Sequence, residues 1–484
     1  MKNFPMHYSS WVRPALTLLT VLLLLGDTIH SFRQHYQMCM DGDMTFNVLK
    51  SEEVDKILDD PLALKVLLSD EKYLNPNRYF SHLANYTYCW NVPLYLQHFV
   101  DPITSIYLSQ ALFKILLQLT LIFLLASFIS PEAKFYRAEF LLPALLVTPF
   151  FQTLGFNHQM GIIDKSMTYD FFYAFPIVFI LLFFIPVLKS IRTSRSFSKL
   201  HFLWMVPCAF IVAFSGPLNL GVAPVICLLC CIWVIISERM KPGEWSWKKV
   251  WSNNAVQACA ILLLFCGYSL FINAKAGTMA EDIPPLAQRY FLLLQGILTL
   301  LTENRAFLWL FLLIGLNLFI LRKQNGNADK WLSRARWIAL FSLLYIFLLP
   351  FGGYRPYRPF ILRFDTAMPV TLALVWLFGA TAFAIIATNR SRWRLAYYFV
   401  VVYSLIYFTQ YDKMGDPAYD CEKAMLNEIA RSKDTVVKLS EPCTVIEWQT
   451  ITDFRNSEKQ AELLFHWNVT SEKKLFYYDP SSAE

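Results

Sequence analysis

Two carboxylates flank a glycine in Asp41-Gly42-Asp43, about a dozen residues beyond the first long apolar segment. Paired acids beside a membrane can take a proton from a nucleophile or hold a hard cation. A solvated or purely structural pair has the same sequence. Further along, His158 stands between Asn157 and Gln159, followed by Asp164, Lys165 and Asp170. A histidine among acids supports proton transfer or cation binding, while a polar connector and a structural hydrogen bond explain the same residues. A third group is Gly352-Gly353-Tyr354-Arg355-Pro356-Tyr357-Arg358-Pro359, with Arg363 and Asp365 after it. Arginine grips phosphate through two donors without losing its charge, and tyrosine packs a lipid carrier or stacks on a sugar. Anchoring to lipid headgroups is the alternative use of such residues.

These residues sit between long apolar runs. The 484 residues are 56% hydrophobic, 16% aromatic and only 16% charged, which is too apolar for a soluble domain. The composition and runs predict an all-α polytopic membrane protein with about 11 transmembrane helices. They are expected near 11–29, 104–129, 138–154, 170–188, 200–218, 221–237, 255–273, 306–321, 337–351, 366–387 and 395–411. Lys2 and Arg13 give the first run the look of a signal peptide, but no small-residue cleavage site follows Gly26-Asp27, so an uncleaved helix is expected. The segment from Tyr290 to Leu301 is expected to lie on the surface or re-enter, since counting it as a span would reverse every later basic loop.

Basic residues then set the orientation. Lys189, Arg192, Arg195 and Lys199 share a side with Arg239, Lys241, Lys248, Lys249, Arg322, Lys323, Lys330, Arg334, Arg336, Arg390, Arg392 and Arg394. That side is expected to be cytoplasmic, with the N-terminus inside and the C-terminus outside. The net charge of +7 is therefore mostly topological, and it forms no aromatic-lined patch of the kind that binds nucleic acid. Asp41, Asp43 and the three arginines at 355, 358 and 363 all fall on the outer side. Lys114 is the clearest ionisable residue inside a predicted span. Ion-coupled transport commonly needs such groups within the membrane, so their concentration outside favours chemistry at the outer surface.

The chain divides into a membrane domain, 1–411, and a C-terminal domain, 412–484. Within the first, the outward loop 31–103 is long enough for structure of its own. Ser51-Glu52-Glu53-Val54 opens a helix there, with Ser51 as the cap, and the helix either lies on the membrane or packs within a small subdomain. The C-terminal domain reads as α+β: a helix over Lys423 to Ile429 and strands over Thr444 to Trp448 and Leu475 to Tyr478. Cys39 and Cys89 share the first loop and Cys421 and Cys443 the tail, so two disulfides are expected in an oxidising compartment, free thiols being the other outcome. The cysteines within apolar segments, Cys227 and Cys230 among them, read as small buried hydrophobes. Asn85-Tyr86-Thr87 and Asn468-Val469-Thr470 are sequons on the outer side.

Taken together, Asp41-Gly42-Asp43 after the first helix, the long first loop, the polar loops beyond it and the outer C-terminal domain resemble the GT-C superfamily of integral-membrane glycosyltransferases. The resemblance covers the layout of most of the membrane body, with residue-level likeness confined to short motifs. It implies transfer of a sugar from a polyprenyl-phosphate or polyprenyl-diphosphate carrier to a glycan, lipid or protein acceptor. Asp43, or else Asp41, would take the acceptor's proton, while Arg355, Arg358 and Arg363, with Tyr354 and Tyr357, would hold the lipid-linked donor. His158, Asp164 and Asp170 would serve the acceptor or a metal, and Mg or Mn could bridge Asp41, Asp43 and phosphate. A bacterial inner membrane is the expected location, the endoplasmic reticulum the second. A polysaccharide polymerase or ligase using the same donors, a transporter of lipid-linked sugars and a non-catalytic assembly factor are the competing functions.

Overall fold

The computed structural model describes residues 12–151, 161–193, 197–241, 245–277, 283–303, 305–324, 328–352, 354, 360–388, 394–410 and 414–482. The chain opens with α1 (Val12–Tyr36), then α2 (Asp43–Val48), α3 (Glu52–Leu58), α4 (Leu64–Ser69), α5 (Tyr79–Leu96), α6 (Pro102–Ile129) and α7 (Ala138–Val147). Next come α8 (Met167–Tyr169), a π-helical turn (Asp170–Ala174), α9 (Phe175–Thr193), α10 (Lys199–Ala213), α11 (Pro217–Arg239), α12 (Trp247–Trp251) and α13 (Asn254–Lys275). The membrane body closes with α14 (Leu286–Glu303), α15 (Arg305–Lys323), α16 (Ala328–Leu348), α17 (Phe364–Thr388) and α18 (Arg394–Gln410). The tail adds α19 (Tyr419–Arg431), β1 (Val436–Leu439), α20 (Glu458–His466) and β2 (Leu475–Tyr478).

Among the described residues, 8 helices are long and apolar enough to cross a membrane, α8 and α9 counting as one continuous helix. This is the build of an integral membrane protein. Each expected span overlaps a helix; α7 and α10 fall short of that length, and α18 has 17 described residues. The shortness of α7 and α10 has local causes: Pro149 follows the end of α7, and α10 gives way to Gly216, at φ +113°, and then Pro217. The first span is longer than expected, running to Tyr36.

The segment between α1 and α6 is a packed subdomain. Ser51 caps α3, its hydroxyl accepting from Val54 N at 3.4 Å, and Val54 and Ile57 are buried in the packing of α3 on α5. Asp60 caps α4 by accepting from Leu64 N and Lys65 N, each at 2.7 Å, and from the Tyr73 hydroxyl at 3.0 Å. Asn85 lies fully buried within α5, so its sequon is closed in the folded protein, while Asn468 is exposed.

In the C-terminal unit, β1 and β2 pair in parallel, Val436 opposite Leu475 through Leu439 opposite Tyr478, with α20 in the crossover. The expected strand over Thr444 to Trp448 is absent. Ile446 takes a left-handed φ of 50°, which breaks an extended run, and its N–H turns to Glu422 instead. Cys421 and Cys443 form a disulfide, whereas Cys39 and Cys89 are both free, correcting the second expected pair. The Cys89 carbonyl accepts from Trp467 Nε1 at 3.0 Å, and its thiol donates to Asn85 Oδ1 at 3.3 Å, so it is occupied elsewhere.

Candidate functional site

The site is built at the end of the bundle where α1 finishes and α6 and α8 begin. Lys114 lies about three turns into α6 and is fully buried. Its ammonium donates to the carbonyl oxygens of Asp164 and Lys165 and sits 3.5 Å from Asp170 Oδ2. Asp170 in turn accepts from Asp164 N at 2.8 Å, and Asp164 Oδ1 accepts from Ser166 N at 2.8 Å. The buried lysine thus folds the 164–170 segment into a closed turn, and the π-helical turn begins at Asp170 itself.

Asp41 joins this turn from the first loop. Its Oδ2 accepts from Thr168 N at 3.1 Å, while Ser166 Oγ accepts from Tyr169 N at 3.2 Å, so both satisfy first-turn N–H groups of the helix that starts at Met167. Asp41 is 3% exposed, and its second oxygen has no hydrogen-bond partner among the described residues. Burial pushes its carboxyl above the ordinary range, against the pull of the Thr168 N–H. Burial likewise raises Asp164 to about 6; Ser166 N and the Lys114 charge pull it back, and Asp365 and Asp41 push it further up. A carboxylate with a raised pKa is the better proton acceptor near neutrality.

Asp43 opens α2 and is half-buried, so the two acids of the motif have different settings. Between them, Gly42 lies under the C-terminal unit: a Cβ there would come within 2.7 Å of both Glu447 Oε1 and Trp448 Cδ1. Trp448 also faces Tyr169, with ring centroids 6.0 Å apart.

Of the expected donor-binding residues, Arg355, Tyr357 and Arg358 lie outside the described residues, as does His158. Arg363 forms a two-point ion pair with Asp365, at 3.1 and 2.9 Å, at the start of α17. Tyr354 is half-buried against the core. Five residues of this region were not singled out as site residues: Lys114, Arg78, Asp365, Glu447 and Trp448. Arg78 stands over the Phe172 ring at 5.6 Å, two residues from Asp170. Lys114 had a legible signal, a lone charge within an apolar run. Asp365 stood beside Arg363 in the third group, while Arg78, Glu447 and Trp448 had none, since they reach the site through contacts distant in sequence. The acids do not bring their oxygens together as a three-ligand set among the described residues, so the expected bridge of a divalent cation between Asp41 and Asp43 has no preformed cage. No protein-family model matches this chain, and no curated protein matches it.

Proposed function

We propose that the protein is a membrane glycosyltransferase that moves a sugar from a polyprenyl-phosphate or polyprenyl-diphosphate carrier to an acceptor hydroxyl at the outer membrane face. The observation that carries this reading is the convergence of Asp41, Asp164 and Asp170 from two separate loops at one end of an apolar bundle, with a buried oxygen of Asp41 that has no partner among the described residues. Chemistry at that point would meet a lipid-borne donor from the side and a polar acceptor from above. The basic loops support a cytoplasmic N-terminus, and a bacterial inner membrane remains the first choice.

In the reaction, the acceptor oxygen forms a bond to the anomeric carbon and its proton passes to Asp43, the more accessible acid, or to Asp41. The bond from that carbon to the phosphate oxygen breaks, and the phosphate leaves with the electron pair. Arg355 and Arg358 are the proposed phosphate ligands. Arg363, already paired with Asp365, is assigned to shaping the loop and contributes to donor binding by its remaining exposure.

Reconstitution with a panel of polyprenyl-linked sugars tests this. Asp43→Asn is expected to lower transfer by about 100-fold or more in folded protein, the usual loss on removing a general base, and that loss falls on Asp41→Asn instead where Asp41 takes the proton. Translocation of the lipid-linked sugar by wild type, with its glycosyl phosphate bond intact, would sink the proposal.

A further inference from the structure

Trp448 belongs to the C-terminal unit, yet it touches two pieces of the membrane body. It lies against Gly42, and its ring is inclined by 34° to that of Tyr169. Those two residues adjoin Asp41 and Thr168, which are hydrogen-bonded to each other across 127 positions of sequence. Despite these contacts Trp448 remains 44% exposed. Glu447 beside it is fixed by its neighbours: Oε1 accepts from Trp448 N at 2.8 Å and Oε2 from Gln460 Nε2 at 2.9 Å. Each carboxylate oxygen accepts more than one donor, so both keep capacity for a ligand.

A half-exposed indole beside a positioned carboxylate makes two demands on whatever binds there. The ring favours a flat apolar surface, and the carboxylate favours a hydrogen-bond donor next to that surface. A polyprenyl or acyl chain meets the first demand only, and it would strip water from Glu447 without replacing it. A pyranose meets both, with C–H bonds on one face and hydroxyls at its edge.

We propose that Trp448 and Glu447, with Tyr169, form a subsite that seats a pyranose ring beside Asp41-Gly42-Asp43. The C–H face lies on the indole and a ring hydroxyl donates to Glu447. The assignment of that ring to a substrate of transfer rests on the glycosyltransferase reading; the binding itself does not. Gly42 is required because any side chain there would displace the two residues that make the subsite.

The test uses the full chain in lipid nanodiscs, with wild type, Trp448→Ala, Trp448→Phe and Glu447→Gln. Thermal unfolding confirms that each variant is folded. One arm titrates methyl hexosides calorimetrically, and a second follows transfer from a panel of polyprenyl-phosphate and polyprenyl-diphosphate sugars while varying donor and acceptor in turn. Trp448→Ala is expected to weaken hexoside binding by about tenfold and Trp448→Phe by about threefold or less, the scale of an aromatic contact. In the second arm the same factor appears in the KM of whichever substrate carries the ring, with kcat nearly unchanged. Hexoside binding that is absent in wild type, or equal in wild type and Trp448→Ala, overturns the subsite. Trp448-dependent binding without any transfer supports the subsite and rejects the glycosyltransferase reading.

Discussion

Lys114 is enclosed by two carbonyl oxygens and the Asp170 carboxylate, with neither side chain of the ion pair reaching solvent. Removing one partner of a buried pair leaves the other charge uncompensated. Lys114→Met is therefore expected to cost about 3–5 kcal/mol of stability, whereas Lys114→Met combined with Asp170→Asn should cost clearly less. Chemical unfolding in detergent compares the two, and equal losses would show that the pair is not the organising contact. The same residue bears on chemistry, because its positive charge holds down the proton affinity of Asp164. Asp41 and Asp43 illustrate how one short motif splits. The first is buried on Thr168 N and the second is half-buried at the start of α2, so substitution at 41 should disturb folding as well as activity.

Local sequence dictates most elements. Ser51 and the acids after it start α3, and Gly216 followed by Pro217 ends one helix and begins the next. The turn between α1 and α2 is the element on which the site depends, because its glycine meets the C-terminal unit with no room for a methyl group. Gly42→Ala is expected to destabilise the protein by about 1–3 kcal/mol, the scale of overpacking, and to loosen the segment around Trp448. Hydrogen exchange of backbone amides at 445–450 reads this directly; unchanged protection there would show that the contact is easily relieved. The turn from Asp164 to Asp170 is its counterpart, tied down by a lysine of α6.

At the scale of the whole molecule, the C-terminal unit is docked onto the first loop through Glu422. This carboxylate accepts from Met40 N at 3.1 Å, the Tyr107 hydroxyl at 2.9 Å and Ile446 N at 3.2 Å. Burial raises it to about 7 despite those donors. Between its ordinary value and about 7 the folded protein therefore holds a proton that the unfolded chain has lost, and stability falls as pH rises through that window. Above about 7 the contribution is flat. Proteolysis of the C-terminal unit should accelerate from pH 5 to pH 7 in wild type and stay level in Glu422→Gln, with a parallel rise in both excluding Glu422 as the cause. The sequence by itself determined the membrane character, the apolar helices long enough to cross a bilayer and the cap at Ser51, because hydrophobic length and capping are written in neighbouring residues. It could not say that Lys114 folds the 164–170 turn, that Cys421 rather than Cys39 finds a partner, or that Glu447 and Trp448 stand over Gly42. Such contacts, like that of Met40 with Glu422, join positions up to hundreds of residues apart, 382 in that case. No local period encodes such a meeting; only the packing of the whole chain decides it.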